Sequence, residues 1–370
     1  MALYKTLVKK VSISPEKKTK QKDYLPKGQL PIIDQGQQLI GGYSDNPDLQ
    51  LSCNLPVIVF GDHTRAVKYV DFPFGAGADG IKVLEPAKGI YPKFLYYATQ
   101  YLVLRLEDRG YARHYQYIEK KELDIPSVPE QRCIVARIEE LFSELDNGVE
   151  TLRKTKQQLA VYRQAVLKDA FSGCDKQASV SSVCTHVTDG DHMPPPKAAS
   201  GIPFIMISNI DGNRIDFSDT AFVGRDYYEN IDSKRRPQVG DVLYSVTGSF
   251  GIPVLVDFEK EFCFQRHIAL LRPNDSILSR YLYYAMQAPD VYAQASKGAT
   301  GTAQKTVGLT VLRKILIPYT EDKIEQEQIV REVENKMSVC DSIEKTIDAA
   351  LQQAEAMRQS ILKQAFEGRL

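Results

Sequence analysis

Tryptophan is absent from these 370 residues, and histidine (five) and cysteine (six) are scarce. Cys53, Cys133, Cys174, Cys184, Cys263 and Cys340 form no CxxC pair, and the histidines are scattered, so no metal site is expected. Free thiols in a reducing cytoplasm are the simplest reading. No run of about 18 apolar residues occurs, which excludes a membrane-spanning helix. The stretch from Met1 to Lys22 is too polar for a secretory signal. Net charge is missing as well, with 47 basic and 47 acidic side chains. That balance at first argues against a nucleic-acid binder. The hydrophobic share of 43% excludes a disordered chain, and the length predicts two or three domains.

A repeat is present. The segment EQRCIVARIEELFSELDNGVETLRKTKQQLAVYRQAVLKDAFSG from Glu130 aligns without a gap to EQEQIVREVENKMSVCDSIEKTIDAALQQAEAMRQSILKQAFEG from Glu325. Seventeen of 44 positions are identical, more than shared helical composition would give. They include Glu130/Glu325, Gln131/Gln326, Arg163/Arg358 and Phe171/Phe366. Neither copy contains proline. Apolar residues recur every 3.5 residues, through Ile134, Ile138, Leu141, Leu145, Gly148, Leu152, Thr155, Leu159, Tyr162 and Val166 in the first copy. The second stripe runs Ile329, Val333, Lys336, Cys340, Ile343, Ile347, Ala350, Ala354, Met357 and Ile361. This is a coiled-coil seam. Two long helices, each about 66 Å at ~1.5 Å per residue, are expected to pack on each other and to end at Gly173 and Gly368.

The repeat divides the chain into residues 1–129, a helix over 130–173, residues 174–320 and a helix over 321–370. The first and third parts carry short apolar runs such as LPVIVF (55–60), IKVL (81–84), IPFIMI (202–207), VGDVLYSV (239–246) and IALL (268–271), which read as strands. Short helices are expected over 92–106 and 279–288. The two parts are distant copies: Val70-Asp71-Phe72 matches Val256-Asp257-Phe258, and Phe94-Leu95-Tyr96-Tyr97-Ala98 matches Tyr281-Leu282-Tyr283-Tyr284-Ala285. A shared scaffold with divergent loops fits two recognition modules with different ligands.

Three motifs mislead. GAGADG (75–80) fits GxGxxG, but a strand follows where a helix is required, so a turn is expected. GATGTAQKT (298–306) lacks the glycine that a phosphate loop needs before Lys305; it suits a loop touching a polyanion. Met193-Pro194-Pro195-Pro196 lacks the polar leader of a methyltransferase motif.

Other clusters carry groups that read DNA. Asp62, His63, Thr64 and Arg65 follow an apolar strand, Lys68 lies just beyond, and Arg113, His114 and Tyr115 form a second basic and aromatic cluster. Gln35 and Gln37 offer amides of the kind that pair with adenine, and Tyr43 follows them. In the third part, Asn209, Asn213 and Arg214 flank a turn. Ser245, Thr247 and Ser249 follow a strand, Arg266 and His267 precede one, and Lys297, Thr302, Gln304 and Lys305 sit in a glycine-rich loop. Any one of these could instead be a structural ion pair or turn; it is their concentration that points to DNA.

QGQ (35–37), GGY (41–43), VIVFGDHTR (57–65), KYVDFPF (68–74), YARHY (111–115), IPFIMISNI (202–210), GDVLYSVTGSFG (240–251), the pair Arg266-His267 and the repeated EQ-x-x-IV helices together resemble the specificity subunit of type I restriction–modification systems. The resemblance extends over nearly the whole chain. It implies an α+β protein: two mixed α/β target-recognition domains joined by two long antiparallel coiled-coil helices, a pseudo-twofold repeat. Each domain would read one half of an asymmetric bipartite site in double-stranded DNA. The helices around Glu130, Gln131, Arg163, Phe171, Glu325, Gln326, Arg358 and Phe366 would set the spacer and dock two modification (methyltransferase) subunits. S-adenosylmethionine, ATP and Mg would belong to the modification and restriction/translocase partners, and this chain would carry no catalytic residue. The competing reading is a coiled-coil scaffold that binds proteins only.

The zero charge is then a cancellation. Residues 1–124 hold 18 basic and 14 acidic groups, 174–320 hold 15 of each, and 321–370 hold 7 and 11. The acidic last helix suits a protein partner, and nearly neutral recognition parts imply weak DNA binding without one.

Overall fold

The computed structural model describes the chain from Met1 to Leu370 except Asp79, Asp108, Arg109, Tyr111, Met193, Pro194 and Ala303. It divides into two compact units, Met1–Arg153 with Asp348–Leu370, and Lys154–Ile347.

In the first unit, β1 (Val8–Lys10), β4 (Val57–Gly61), β5 (Val67–Val70) and β7 (Ile81–Pro86) form an antiparallel sheet in the order β1-β7-β4-β5. Strands β2 (Leu30–Ile33), β3 (Gly42–Ser44) and β6 (Gly75–Gly77), with the short edge strand Lys18–Thr19 beside β6, build a second sheet, in which β2 and β6 run parallel. The continuous run VIVF is explained by burial on both faces. Ile58 and Phe60 pack with Phe94, Leu95 and Ala98 of α1 (Pro92–Leu104), while Val57 and Val59 pack with Ile33, Phe74 and Ala76. Each such side chain contributes about 1.5–3 kcal/mol.

The first half of GAGADG, Gly75–Gly77, is a strand rather than part of the expected turn. A Cβ on Gly75 would lie 2.7 Å from Ile32 Cδ1, and one on Gly77 2.6 Å from Asp34 Cβ. Glycine is needed there for close strand approach, and the turn comes at Gly80 (φ 73°); Asp79 of the motif lies outside the described residues.

The second unit repeats this plan. Strands β8 (Cys184–Asp189), β11 (Val242–Ser245), β12 (Pro253–Leu255) and β14 (Ile268–Pro273) form a sheet in the order β8-β14-β11-β12. Strands β9 (Ile202–Ile205), β10 (Ala221–Val223) and β13 (Cys263–Phe264) form the second sheet, with β9 and β13 parallel. Ile58 pairs with Leu84 as Val242 pairs with Leu271, so VIVFGDHT is the first unit's counterpart of VLYSVTG. Helix α3 (Ser279–Ala285) stands where α1 does, and α4 (Pro289–Gly298) is an addition the sequence pattern did not reveal.

The long helices are α2 (Val128–Ala170) and α5 (Lys323–Phe366). Glu130 reaches back to cap the start of α2, the Ser127 backbone N–H (2.8 Å) and hydroxyl (2.6 Å) both donating to its Oε2. This holds the Glu130 carboxyl below its ordinary range. Asp322 starts α5, its carboxylate accepting from the Ile324 N–H at 2.8 Å. Gly368 takes the left-handed conformation after α5 (φ 70°), but Gly173 lies three residues beyond α2 without it.

The packed stripe differs from the expected seam at several alternate positions. Ile138, Leu159, Val333, Cys340, Ile347 and Ala354 are inside as expected. Tyr162, Ile343 and Met357 are instead exposed, and Phe142, Arg163, Met337 and Arg358 take the alternate places, one residue further on. Within the first unit the start of α2 and the end of α5 pack on α1, through Val135, Ile138, Phe142, Leu362 and Ala365. Within the second unit the end of α2 and the start of α5 pack on the domain core through Leu167, Phe171, Val330 and Val333. In each unit the two helix segments run antiparallel. Within each unit the helix segments thus pack on each other, as expected, and also on their own domain.

Arg358 lies over the Phe142 ring at 4.3 Å and pairs with Asp146; Arg163 Nη2 is 2.7 Å from Asp341 and 3.0 Å from Glu344. The arginine stems supply apolar packing while their heads meet carboxylates. A count of apolar residues therefore chose Tyr162 and Met357 over their charged neighbours.

Candidate nucleic-acid interface

In both units the residue after the central strand captures a returning segment. The His114 N–H donates to the Asp62 carbonyl at 2.8 Å, and the Val307 N–H donates to the Val246 carbonyl at 2.8 Å. Arg113 and Thr306 therefore occupy equivalent places beside the strand-end turn. Nothing in their local sequences matches, because the backbone makes this contact and leaves the side chains free to differ.

In the first unit Asp62 is the knot. It is 3% exposed; Oδ1 accepts from the Tyr115 N–H at 2.8 Å, and Lys82 Nζ lies 3.5 Å from Oδ2. His114 (1%) and Tyr115 (4%) are also buried. Arg65 closes the turn with φ 60°, its N–H donating to the Gly61 carbonyl at 2.8 Å. The Thr64 hydroxyl donates to the Gln35 carbonyl, which joins the amide loop to the same end. Lys68 (4% exposed) supports that loop from inside, donating to the Asp34 carbonyl at 2.8 Å, and burial pushes its ammonium pKa down. Gln37, Thr64 and Arg113 are exposed; Gln35, His63 and Arg65 are half-buried, as is Tyr43 in β3. Tyr111 lies outside the described residues.

In the second unit Ser245 is fully buried, accepting from the Ile252 N–H and donating to the Ser249 carbonyl, both at 2.8 Å, so it shapes the turn. Thr247 (8% exposed) meets Thr306 hydroxyl to hydroxyl at 3.3 Å. The stretch with a phosphate-loop look is a closed loop: Thr300 and Thr306 exchange backbone hydrogen bonds at 2.9 and 2.7 Å, leaving Thr302, Gln304 and Lys305 exposed. Thr247, Arg266, His267, Gln304 and Thr306 share a recess of about 350 Å³ with the Asp189–His192 pair. Ser249 and Arg266 are exposed, as is Lys297 at the end of α4.

Asn209 is 5% exposed and internal: its side chain accepts from the Met206 N–H at 2.9 Å and donates to the Asp219 carbonyl at 2.8 Å. Asn213 and Arg214 are exposed but line a different cavity, of about 1140 Å³, with Asp257, Lys260 and Arg280. The two cavities share no lining residue.

The helix residues separate in the same manner. Gln131 and Gln326 are fully buried and tie each long helix to its own domain. Gln131 accepts from the Tyr91 N–H at 2.7 Å and donates to the carbonyls of Pro126 (2.9 Å) and Gly89 (3.1 Å). Gln326 accepts from the Leu278 N–H at 2.8 Å and donates to the Thr320 and Ser276 carbonyls at 2.8 and 2.9 Å. Phe171 stands edge-on to Tyr281 at 5.3 Å, and Phe366 stacks on Tyr101 at 5.3 Å. These four side chains were expected at partner contacts; they are internal because the long helices need anchors. Glu325 bonds the Thr320 hydroxyl.

The thiols take no part in this surface. Burial pushes Cys53, Cys174, Cys184 and Cys263 up, Cys184 to about 12. Among the described residues no cluster of His, Cys, Asp and Glu could hold a metal, and no helix is long and apolar enough to cross a membrane.

Two domains of one plan, each presenting a different polar loop end and each tied to long helices, define a modular recognition protein. Residues 195–353 match the family model described as the type I restriction modification DNA specificity domain. The chain is 25% identical over 324 residues to the EcoKI specificity subunit of Escherichia coli K12, spanning 78% of this chain and 68% of that one. It is 26% identical to the StySPI specificity subunit of Salmonella potsdam over 78% and 67% of the respective chains, and 24% identical to the E. coli EcoBI subunit, of whose length it spans 58%. Among solved structures, a chain from work on complex assembly and conformational transition of the type I R-M system matches with a TM-score of 0.68 at 16% identity, covering 92% of each chain. The chain is thus similar, over most of its length, to type I restriction–modification specificity subunits.

Proposed function

We propose that this chain is the DNA-recognition subunit of a type I restriction–modification complex, acting in the cytoplasm, and that each domain (within 1–129 and 174–320) reads one half of an asymmetric bipartite site. Gln37, His63, Thr64, Arg65 and Arg113 would face one half-site. Thr247, Ser249, Arg266, His267, Lys297, Thr302, Gln304 and Lys305 would face the other. Asp62, Lys68, His114, Tyr115, Asn209 and Ser245 would act beneath them by holding loop shape. The observation that carries this reading is the shared strand-end platform with unlike side chains, as two readers of different sequences require.

The long helices would fix the spacer between half-sites and dock two modification subunits. Those and the restriction subunits would bring S-adenosylmethionine, ATP and Mg, while this chain supplies targeting. Methylome sequencing of cells with and without the gene tests the proposal. An asymmetric two-part motif that disappears with the gene is expected; a palindromic motif, or none, refutes it. Salt-dependent DNA binding by the assembled complex separates it from a purely protein-binding scaffold.

A further inference from the structure

The recess of about 350 Å³ in the second unit also holds a charged pair, Asp189 and His192. Asp189 ends β8 with its side chain only 16% exposed, while that of His192 is 57% exposed. His192 Nε2 lies 2.9 Å from Asp189 Oδ2, and Arg235 Nη2 lies 3.8 Å from Asp189 Oδ1. A carboxylate accepts and does not donate, so Nε2 carries the imidazole proton and Nδ1 is left as an acceptor. Among the described residues nothing bonds Nδ1.

The segment that carries the pair is fixed. A Cβ at Gly190 would fall 2.0 Å from the Phe264 carbonyl oxygen, so only glycine lets this backbone lie against β13. The Asp191 N–H donates to that carbonyl at 3.3 Å, and the Asp191 carbonyl accepts from the Arg266 N–H at 3.2 Å. The Tyr227 hydroxyl donates to the Asp191 carboxylate at 2.5 Å. These ties set His192 in one recess with Arg266, Thr247 and Gln304. The pair is not part of the plan that the two units share. Lys10 pairs with Leu84 as Val187 pairs with Leu271, so Ser12 stands where Asp189 does. A difference between the domains at the recognition end is where a difference in target is set.

Arg266 brings only donors to the recess, whereas His192 Nδ1 brings only an acceptor. Such an acceptor separates the bases by class. In the major groove adenine N6 and cytosine N4 present amino groups, where guanine O6 and thymine O4 present acceptors.

We propose that His192 is a specificity-determining residue of the second domain. Its Nδ1 accepts from the exocyclic amino group of one adenine or cytosine, and Asp189 is the positioning residue that fixes which ring nitrogen bears the proton. The proposal rests on the specificity-subunit reading and names the base chemistry that this one site reads.

The test is methylome sequencing of cells that carry the complete complex with variants of the full chain. His192→Ala should relax one position of one half-site, the half that Arg266→Ala also relaxes, with about a tenfold loss of discrimination. The other half should stay as in the parent. An A·T pair at the relaxed position of the parent motif identifies adenine as the source of the amino group, and a G·C pair identifies cytosine. An amide at position 189 can donate to Nε2 as well as accept from it, which frees Nδ1 to carry the proton. Asp189→Asn should therefore admit guanine or thymine on the same strand at that same position, a change that loss of a merely structural contact would not produce. Circular dichroism of the purified variants should match the parent, since His192 is exposed and the second change is isosteric. An unchanged motif in both variants would overturn the proposal and leave the specificity-subunit reading intact. Uniform loss of methylation at every site, with the fold kept, would mark His192 as a contact blind to base identity and overturn it as well. A parent chain that yields no bipartite motif would overturn both readings.

Discussion

The buried glutamine of each repeat offers the sharpest test of how helix and domain are joined. Replacing Gln326 by Leu keeps the volume but removes an acceptor 2.8 Å from the Leu278 N–H and donors to the Ser276 and Thr320 carbonyls. The site is fully buried, so water cannot substitute. A buried donor left unsatisfied costs about 1–3 kcal/mol, and a carbonyl that loses its partner adds to this. The total is on the order of 3 kcal/mol, equivalent to about a hundredfold loss of protection at ~1.4 kcal/mol per tenfold. Hydrogen-exchange mass spectrometry over residues 276–280 reads it directly, and urea unfolding followed by circular dichroism reads the unit as a whole.

Gln326→Glu is the informative companion. Its carboxylate would accept from Leu278 but face two carbonyl oxygens, so the introduced carboxyl should titrate above the ordinary range. That variant should lose stability as pH rises through its raised pKa and regain it below, where the protonated group can donate again. Gln131→Leu should expose the Tyr91 amide in the first unit in the same way. Unchanged exchange at 276–280 in Gln326→Leu, with an unfolding shift below about 0.5 kcal/mol, would refute the view that these glutamines fasten the helices.

Four further outcomes are expected. A double-mutant cycle of Arg163→Ala and Asp341→Ala should give a coupling of about 0.5–1 kcal/mol, since Asp341 is well exposed and solvent screens the pair; zero coupling in urea unfolding would count against it. The carboxyl of Glu85 is held below the ordinary value of 4.5, chiefly by the backbone N–H of Asn54 and further by Lys9. Its stabilising effect should be complete above pH ~4.5 and lost as pH falls through the lowered pKa, so Glu85→Gln should flatten the acid limb of a stability profile. Arg113→Ala and Arg266→Ala should each relax methylation specificity in one half-site only, by about 1–3 kcal/mol of discrimination if the arginine reads a base; equal effects on both halves would contradict the assignment of one domain to each half. Seven residues inserted into both long helices keep the seam in register and add ~10 Å; the preferred spacer should grow by about 3 base pairs, as methylome sequencing would show.

Particular residues show how far sequence reasoning reached. The helices were legible because a strict period with no proline persists over 44 positions, and the strands VIVF, IKVL and IALL because β-branched runs end in Gly, Pro or Asp. The alternate seam positions were not, since Arg163 and Arg358 pack through their stems while being counted as polar. Nor could the sequence separate Asp62, His114, Asn209 and Ser245, which hold loops from within, from Gln37, Arg113, Ser249 and Arg266, which face outward: residue type names a hydrogen-bonding capacity, not its partner.

The sequence by itself determined the repeat, the long helices and the pairing of two related domains, because all of these are written in periodicity and self-similarity along one dimension. The tertiary structure decided which polar groups are struts and which are surface. It also aligned Arg113 with Thr306 through backbone bonds that leave no trace in side-chain identity. Burial and hydrogen-bond partners depend on segments far apart in sequence, and only the folded chain brings those together.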